Sequence, residues 1–184
     1  PEYIEINFGN ECNFKCGYCH PKYSTSFYNE IKKHGPVTTV KNHRCDIDWM
    51  TLYQREEENP YVDAFWEWWP ELYPKLKHFR MTGGEPLMDK NTYKVFDYVL
   101  AMPKPDLHLN VTSNFSVEPK LFDQYIDYVK RLCNTQIEHF MQYVSLDSGD
   151  MEQAEYIRHG MIASRVHNNV QRYLTDIPYR NSLT

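Results

Sequence analysis

The sequence predicts an α/β protein whose core is a partial parallel barrel of strand–helix units. Three observations lead to this prediction: short apolar strands alternate with amphipathic helices, helix-length segments separate the strands, and apolar side chains recur at every second strand position. Strands that alternate with helical patterns are typical of βαβ units and a parallel sheet. At 184 residues, the chain is expected to form one domain over residues 1–184.

The predicted elements follow one another in a regular order. The strands are expected at about 3–8, 78–82, 107–112 and 139–146. The helices are expected from Asn59-Pro60, from Asp89 and over about 119–132, with one or two more over about 151–174. A capping residue and a first-turn proline predict the start at Asn59-Pro60. The aromatic stripe at 62–73 is expected to face the core.

Alternation within the strands separates two faces of the sheet. One parity is apolar, as at Ile6, whereas the opposite parity is polar. A parallel sheet covered on both faces has nearly continuous apolar strands, and branched aliphatic residues fill a closed eight-stranded barrel. The polar parity therefore predicts an open, wide barrel with a cavity along its inner wall. The residues expected to point toward a substrate there are Glu5, Arg80, His108 and Asn110.

A cluster of cysteines follows the first strand directly. Cys12, Cys16 and Cys19 have the spacing C-x3-C-x2-C. Iron–sulfur clusters are usually held by four cysteines, so three would leave one iron available to another ligand. An open coordination position is typical of a reactive metal site rather than a structural one. The alternative is a zinc site to which the adjacent His20 contributes a fourth ligand.

A second motif, Met81-Thr82-Gly83-Gly84-Glu85-Pro86, ends the second predicted strand. Glycines let the backbone approach a ligand closely, and Glu85 supplies an acceptor for an ammonium group. Alone, Gly-Gly predicts only a turn. Together and in this order, the two motifs closely resemble the radical S-adenosylmethionine (radical SAM) superfamily. In that family a C-x3-C-x-aromatic-C loop follows strand one, and Tyr18 occupies the aromatic position.

The resemblance implies a set of cofactor-binding residues. The three cysteines would bind a [4Fe–4S] cluster, and the amino and carboxylate groups of S-adenosylmethionine would chelate the fourth iron. The residues that would receive the cofactor's amino group are Gly83, Gly84 and Glu85.

Three further segments resemble the family at later strands. Ser113-Asn114 resembles the Thr-Asn-Gly that ends strand three, where the asparagine lies near the nucleoside, although Phe115 stands in place of the glycine. Ser145-Leu146-Asp147 resembles the Ser-x-Asp of strand four. Arg158 matches the arginine of an Ile-Arg-Gly segment that pairs with the cofactor carboxylate, because a guanidinium matches a carboxylate bidentately. The alternative for Arg158 is an arginine on a helix surface.

The implied activity is radical chemistry. A reducing partner such as flavodoxin or ferredoxin would deliver an electron to the cluster, and cleavage of S-adenosylmethionine would yield a 5′-deoxyadenosyl radical that abstracts hydrogen from a substrate. The pattern also resembles the twitch or SPASM-type members, so a peptide substrate is the first expectation and a small or nucleotide-derived molecule the second. A zinc-stabilised binding module and a catalytically inactive radical-SAM-like scaffold are the alternatives.

Composition narrows the expected partners and compartment. The net charge of −5 argues against generic nucleic-acid binding, which needs a basic footprint. No apolar run has membrane-spanning length, and no signal peptide is expected. The odd count of five cysteines favours a reducing cytoplasm over a disulfide framework. Cys45 and Cys133 are expected to be ordinary thiols.

The resemblance also bears on how complete the chain is. The family's core has six βα units, and about four fit into this sequence. The chain is therefore expected to be an N-terminal part truncated at the C-terminus, with a minimal protein that completes its sheet by pairing as the alternative. Residues 20–77, between the two motifs, are expected to form a long insertion that acts as a lid or docking element. Its acidic run Glu56-Glu57-Glu58 is most simply a solvated face.

Overall fold

The protein alternates strands and helices along most of its length. A computed structural model describes residues 1–35, 59–134, 137 and 139–177. The elements are β1 (Tyr3–Asn7), β2 (Lys15–Cys16), α1 (Thr25–His34), α2 (Pro60–Leu72), β3 (His78–Thr82), α3 (Lys90–Ala101), β4 (His108–Ser113), α4 (Pro119–Asn134), β5 (His139–Val144), α5 (Met151–Ile157), β6 (Arg158–His159) and α6 (Ala163–Asp176). Cys45 and Glu56-Glu57-Glu58 lie outside the described residues.

The main sheet has four parallel strands in the order β1-β3-β4-β5. The strands are in register, so that Glu5 pairs with Arg80 and Arg80 pairs with Asn110. Parallel neighbours need crossover connections, which helices usually supply. The predicted α/β fold with a partial parallel βα barrel is confirmed.

The helices begin where their capping residues predict. The Asn59 side chain accepts a hydrogen bond from the Tyr61 backbone N–H at 3.1 Å, and Pro60 takes the first position of α2. The Asp89 carboxylate accepts from the Asn91 N–H at 2.8 Å and starts α3. Such caps satisfy N–H groups that have no partner within the helix.

Helices cover one face of the sheet. On that face Phe65 of α2 lies 6.2 Å, between ring centroids, from Phe79, and Phe96 of α3 lies 6.2 Å from Phe140. The aromatic stripe of α2 is buried in this core, as predicted, through Phe65, Trp69 and Leu72. Trp68 is 41% exposed and lies off the stripe.

The opposite face of the sheet carries the polar parity. Its side chains are exposed or half-buried, whereas their strand neighbours on the helix-covered face of β3 and β4 are buried. Glu5, Arg80, His108 and Asn110 share this polar parity, opposite the face on which the described helices pack. Their contact with a substrate stays a prediction.

Two features near the cysteines were not predicted from the sequence. The helix α1 follows the cysteine loop, and β2 pairs antiparallel with β6 in a separate two-stranded sheet. Of the one or two helices predicted over about 151–174, the structure has two, α5 and α6, and the unpredicted β6 lies between them. In the part of the chain that the structure describes, no helix has an apolar stretch long enough to cross a bilayer.

Candidate functional site

The helix α1 holds the cysteine loop, which we define as residues 9–20. The Cys12 backbone N–H donates to Thr25 Oγ1 at 3.2 Å, and the Cys12 carbonyl accepts from Ser26 Oγ at 2.8 Å. Ser24 is buried at the N-cap, where its Oγ accepts from the Phe27 N–H at 3.1 Å and donates to the Phe14 carbonyl at 2.5 Å. The first turn of α1 thus fixes the backbone of the cysteine loop.

The β6 segment holds the same loop from the other side. Cys16 is the register partner of Arg158, and the Gly17 N–H donates to the Ile157 carbonyl at 2.9 Å. Gly160 has φ +104°, and a Cβ there would lie 2.8 Å from the Asn13 carbonyl oxygen. Glycine at this position is therefore required for the close approach of the two segments.

The glycine pair after β3 approaches the cysteine loop. The Gly84 N–H donates to the Gly9 carbonyl at 3.3 Å, and the Glu85 N–H donates to the Glu11 carbonyl at 2.6 Å. A Cβ on Gly84 would lie 2.3 Å from the Glu11 carbonyl oxygen, and Gly83 has φ +117°. The pair brings the two predicted motifs together. Reception of a cofactor amino group by Gly83, Gly84 and Glu85 stays a prediction.

The Glu85 side chain is buried and turned toward β4. Its Oε1 accepts from the Leu87 N–H at 3.1 Å and from Ser113 Oγ at 2.7 Å, and its Oε2 accepts from the Asn114 N–H at 2.7 Å. Burial raises the pKa of the Glu85 carboxyl to about 7, although these three donors oppose the rise.

Asn114 joins the end of β4 to the cysteine loop. Its side-chain Nδ2 donates to Asn13 Oδ1 at 2.8 Å, and its Oδ1 accepts from the Ser116 N–H at 2.8 Å. Asn13 in turn donates to the Ser116 carbonyl at 3.0 Å. The next residue, Phe115, has φ +57°, a backbone conformation that glycine adopts without strain. A contact from Asn114 to a nucleoside stays a prediction.

Arg158 is buried beside the cysteine loop. Its Nε lies 2.7 Å from Asp147 Oδ2, and its Nη2 donates to Asp147 Oδ1 at 3.3 Å. The Tyr18 hydroxyl also donates to Asp147 Oδ2, at 2.7 Å. The alternative of a helix-surface arginine is wrong, because Arg158 lies in β6 and is 8% exposed. Ser145, two residues before Asp147, donates its backbone N–H to the Ser113 carbonyl at 3.0 Å.

The three thiols of the loop are electrostatically coupled. Burial raises the pKa of the Cys12 thiol to about 12, and ionisation of Cys16 or Cys19 would raise it further. Burial also raises the pKa of the Cys16 and Cys19 thiols, whereas the Arg158 guanidinium opposes that rise. The loop therefore favours neutral thiols until a metal cation is present, because metal binding requires the thiolate.

The donor chemistry of the loop fits an iron–sulfur cluster better than it fits a hard cation. Thiolates select soft or borderline metals such as zinc and iron in clusters. Among the described residues, no group of three His, Cys, Asp or Glu side chains converges closely enough to hold a metal ion. His20 uses its Nδ1 to accept from the Lys22 N–H at 3.1 Å, which caps a short 3-10 helix and does not favour the zinc alternative.

Sequence reasoning missed the residues that support the loop. Ser24, Thr25 and Ser26 form a run of capping residues, a recognisable helix-start signal. Asn13 lies within the cysteine motif but matches none of its defining positions. Its role depends on Asn114, 101 residues later in the chain, and no local signal could have revealed it.

Polar contacts connect the expected substrate-facing residues across the open face of the sheet. Arg80 Nη1 lies 3.6 Å from Glu5 Oε2, and Arg80 Nη2 donates to Thr112 Oγ1 at 3.1 Å. The His108 ring centroid lies 4.5 Å from those of both His78 and His139. The face is thus an ordered polar surface.

Comparison with known proteins finds similarity to GTP 3′,8-cyclases. The chain is 30% identical to that of Campylobacter lari over 116 residues, which are 63% of this chain and 28% of the relative. It is 28% identical to that of Nautilia profundicola over 166 residues, 90% of this chain and 41% of the relative. It is 25% identical to that of a Nostoc species over 131 residues, 71% of this chain and 33% of the relative.

The matches cover most of this chain but a minor part of each relative. The chain spans between 28% and 41% of the length of the curated relatives it matches. No protein-family model matches the chain. The similarity to these relatives agrees with the order of the motifs in the sequence. It also agrees with the arrangement of the cysteine loop against the Gly-Gly and Arg158 segments.

Proposed function

The chain belongs to the radical SAM superfamily, and from this premise we propose that it is part of an enzyme that generates a 5′-deoxyadenosyl radical for hydrogen abstraction. One observation carries the proposal: the strand that contains Cys16, in the loop with three thiols, pairs with the strand that contains the buried Arg158. A metal-binding thiol group beside a carboxylate-binding arginine suits a cofactor with a free amino acid end.

The proposed cofactors are a [4Fe–4S] cluster and S-adenosylmethionine. Cys12, Cys16 and Cys19 would hold the cluster, which supplies the electron needed to cleave the sulfonium bond of the cofactor. Arg158 would bind the cofactor carboxylate. The remaining proposed contacts to the cofactor are Tyr18, Gly83, Gly84, Glu85, Asn114 and Ser145. The work of the protein is to orient these groups and to exclude water.

The proposed partner is a low-potential electron carrier such as flavodoxin or ferredoxin, in a reducing compartment such as the cytoplasm. The cysteine usage of the sequence, an odd count of five with three clustered, supports that setting. We further propose that residues 1–184 are the N-terminal part of a radical SAM core domain, and that 20–77 is an insertion of this chain.

Two substrate classes follow from different observations. A peptide is proposed from the resemblance to twitch or SPASM-type proteins. A purine nucleotide is the second candidate, because the relatives are named GTP 3′,8-cyclases. In either case, Glu5, Arg80, His108 and Asn110 are the proposed substrate-facing residues, because they lie on the sheet face opposite the described helices.

Cluster binding is tested by anaerobic reconstitution with iron and sulfide. We expect a brown protein with charge-transfer absorbance, about four irons per chain, and loss of both signals in the variant Cys12→Ala/Cys16→Ala/Cys19→Ala. Cys133→Ala is the matched control and should retain both signals. A colourless protein that binds zinc instead would support the binding-module alternative and overturn the proposal.

Cofactor cleavage is tested by the formation of 5′-deoxyadenosine from S-adenosylmethionine under a strong reductant. We expect Arg158→Lys to lower formation, because lysine lacks the planar fork that matches a carboxylate. Arg172→Lys, a change on the exposed face of α6, is the control and should leave formation unchanged. A fully cluster-loaded chain that forms no 5′-deoxyadenosine would favour the scaffold alternative.

The substrate face is tested separately from cofactor cleavage. If GTP is the substrate, its addition should stimulate 5′-deoxyadenosine formation and GTP should be consumed. Asn110→Ala should then lower GTP consumption while formation without GTP is unchanged. If GTP neither stimulates 5′-deoxyadenosine formation nor is consumed, the nucleotide candidate is wrong and peptide libraries become the appropriate probe.

A further inference from the structure

The ion pair of Arg158 with Asp147 has an unusual geometry. The Arg158 side chain is 9% exposed, and its Nε is buried only 2.7 Å from Asp147 Oδ2. The Nε–H nevertheless has no hydrogen-bond partner, because it is poorly aligned with that oxygen. A buried N–H without an aligned acceptor is costly. The guanidinium therefore has a donor that a better-placed acceptor would satisfy.

Asp147 is held in this position by other contacts. Its backbone has φ +37°, an uncommon conformation for a residue other than glycine. Its Oδ2 accepts from the Tyr18 hydroxyl at 2.7 Å, and the Arg158 guanidinium carbon lies 5.8 Å from the Tyr18 ring centroid. The carboxylate is thus fixed by a residue of the cysteine loop as well as by the arginine.

The contacts involve one particular edge of the guanidinium. Asp147 faces Nε and Nη2, the pair of donors on one edge of the group. A planar guanidinium binds a carboxylate bidentately through two such donors. Asp147 therefore takes up the edge that another carboxylate would need, although its own alignment is imperfect.

We infer that Asp147 is an internal competitor that occupies Arg158 in place of the cofactor carboxylate. This inference rests on the proposed function, since it assumes that Arg158 binds S-adenosylmethionine. Binding of the cofactor exchanges one carboxylate for another at Arg158 and releases Asp147 and Tyr18. The exchange lowers the apparent affinity, because only the fraction of molecules with an open guanidinium is competent to bind. Asp147 acts through Arg158 and is a positioning residue.

The test compares the affinity for the cofactor, which should rise in the variant, with the stability of the fold, which should fall. In Asp147→Asn, the dissociation constant of S-adenosylmethionine, measured by calorimetry on the cluster-loaded chain, should fall about tenfold, the equivalent of one charge-assisted hydrogen bond. Asparagine tolerates a positive φ, so the backbone is preserved. The unfolding midpoint of the cofactor-free variant in urea should fall, because the ion pair is lost. A purely structural role for Asp147 predicts weaker binding together with the lower midpoint, which would overturn the inference.

A remote ion pair provides the control. Asp123 pairs with Arg172 between α4 and α6 on the exposed surface, so Asp123→Asn removes an Asp–Arg pair away from the cysteine loop and should leave the dissociation constant unchanged. Tyr18→Phe is the second variant: it keeps the aromatic ring, removes only the hydroxyl that donates to Asp147, and should lower the dissociation constant by a smaller factor. If Asp147→Asn and Tyr18→Phe both bind S-adenosylmethionine as the unchanged protein does, or more weakly, the inference is overturned and the proposed function still stands. If S-adenosylmethionine binds to none of the cluster-loaded proteins, the proposed function fails together with the inference.

Discussion

Phe115 combines an unfavourable backbone conformation with a favourable side-chain environment. Its φ of +57° is one that glycine adopts without strain. Its ring is fully buried, with centroids 5.0 Å from Phe122 and 5.7 Å from Tyr173. The Phe115 carbonyl accepts from Asn169 Nδ2 at 2.9 Å. Packing thus compensates for the strain, and the family's glycine can be replaced here.

This explanation predicts that glycine is more stable than alanine at position 115, the reverse of their order in a helix. Phe115→Ala should lower the free energy of unfolding by about 3–5 kcal/mol through loss of the buried ring. Phe115→Gly should be about 1 kcal/mol more stable than Phe115→Ala, because glycine relieves the left-handed strain. Urea unfolding measures both. At Phe122, within α4, the order should be reversed, since glycine is worse than alanine in a helix. The same order at both positions would contradict the explanation.

Glu85 predicts a specific pH dependence of stability. Burial raises the pKa of its carboxyl from 4.5 to about 7 in the folded chain. The folded state therefore binds the proton more tightly than the unfolded state does, and the free energy of unfolding should fall as pH rises from 4.5 to 7. Protonation of Glu85 contributes on the order of 3 kcal/mol to the free energy of unfolding. This contribution is fully present below pH 4.5 and is lost above about pH 7.

Urea unfolding at several pH values tests this contribution. Glu85→Gln should abolish the fall in stability between pH 4.5 and 7. It should also destabilise the chain by about 1–3 kcal/mol at low pH, because either orientation of the amide places an NH2 group against a backbone N–H. Glu118→Gln changes an exposed carboxylate that pairs with Arg165 and should retain the fall. If the free energy of unfolding of Glu85→Gln falls with pH as steeply as that of the unchanged protein, another group is responsible for the pH dependence.

At the scale of elements, the N-terminus of α1 links helix stability to the cysteine loop. Ser24→Ala removes the acceptor for the Phe27 N–H and leaves the Phe14 carbonyl without its hydroxyl donor. We expect a loss of about 1–3 kcal/mol in the free energy of unfolding. Because the same turn holds the Cys12 backbone, the iron retained after reconstitution should fall too.

The cap of α2 is the matched control for this prediction. Asn59 accepts from the Tyr61 N–H at 3.1 Å, and neither residue belongs to the cysteine loop. Asn59→Ala should lower stability by about 0.5–2 kcal/mol without changing the iron content. Equal iron loss in both variants would mean that general destabilisation, rather than the α1 contact, controls cluster retention.

The main helices and strands could be predicted because their signals are local. Asn59, Asp89 and the alternation in β3 and β4 specify starts and faces through neighbouring residues alone. The two-residue strands β2 and β6 are too short to carry a periodic signal. They exist because Cys16 and Arg158, far apart in the chain, pair with one another, and only tertiary contacts create that pairing.

At the scale of the whole molecule, the cluster should stabilise the fold. A group that binds the folded but not the unfolded chain stabilises it by mass action. A stabilisation of about 3 kcal/mol corresponds to a rise in Tm of roughly 6–12 °C for a chain of this size. Anaerobic thermal unfolding of reconstituted and cofactor-free protein measures it. The triple cysteine variant should show no rise; a rise there would place the stabilising metal elsewhere.

The sequence by itself determined the α/β class, the order of the main elements, the separation of polar and apolar faces, and the resemblance to the radical SAM superfamily. Those properties depend on residue type and spacing, which are local. Only the tertiary structure decided that the Gly-Gly segment packs on the cysteine loop, that Glu85 is turned toward β4, and that Asp147 occupies Arg158. Burial, donor alignment and competition between charges depend on which distant segments meet, and a linear pattern does not contain that information.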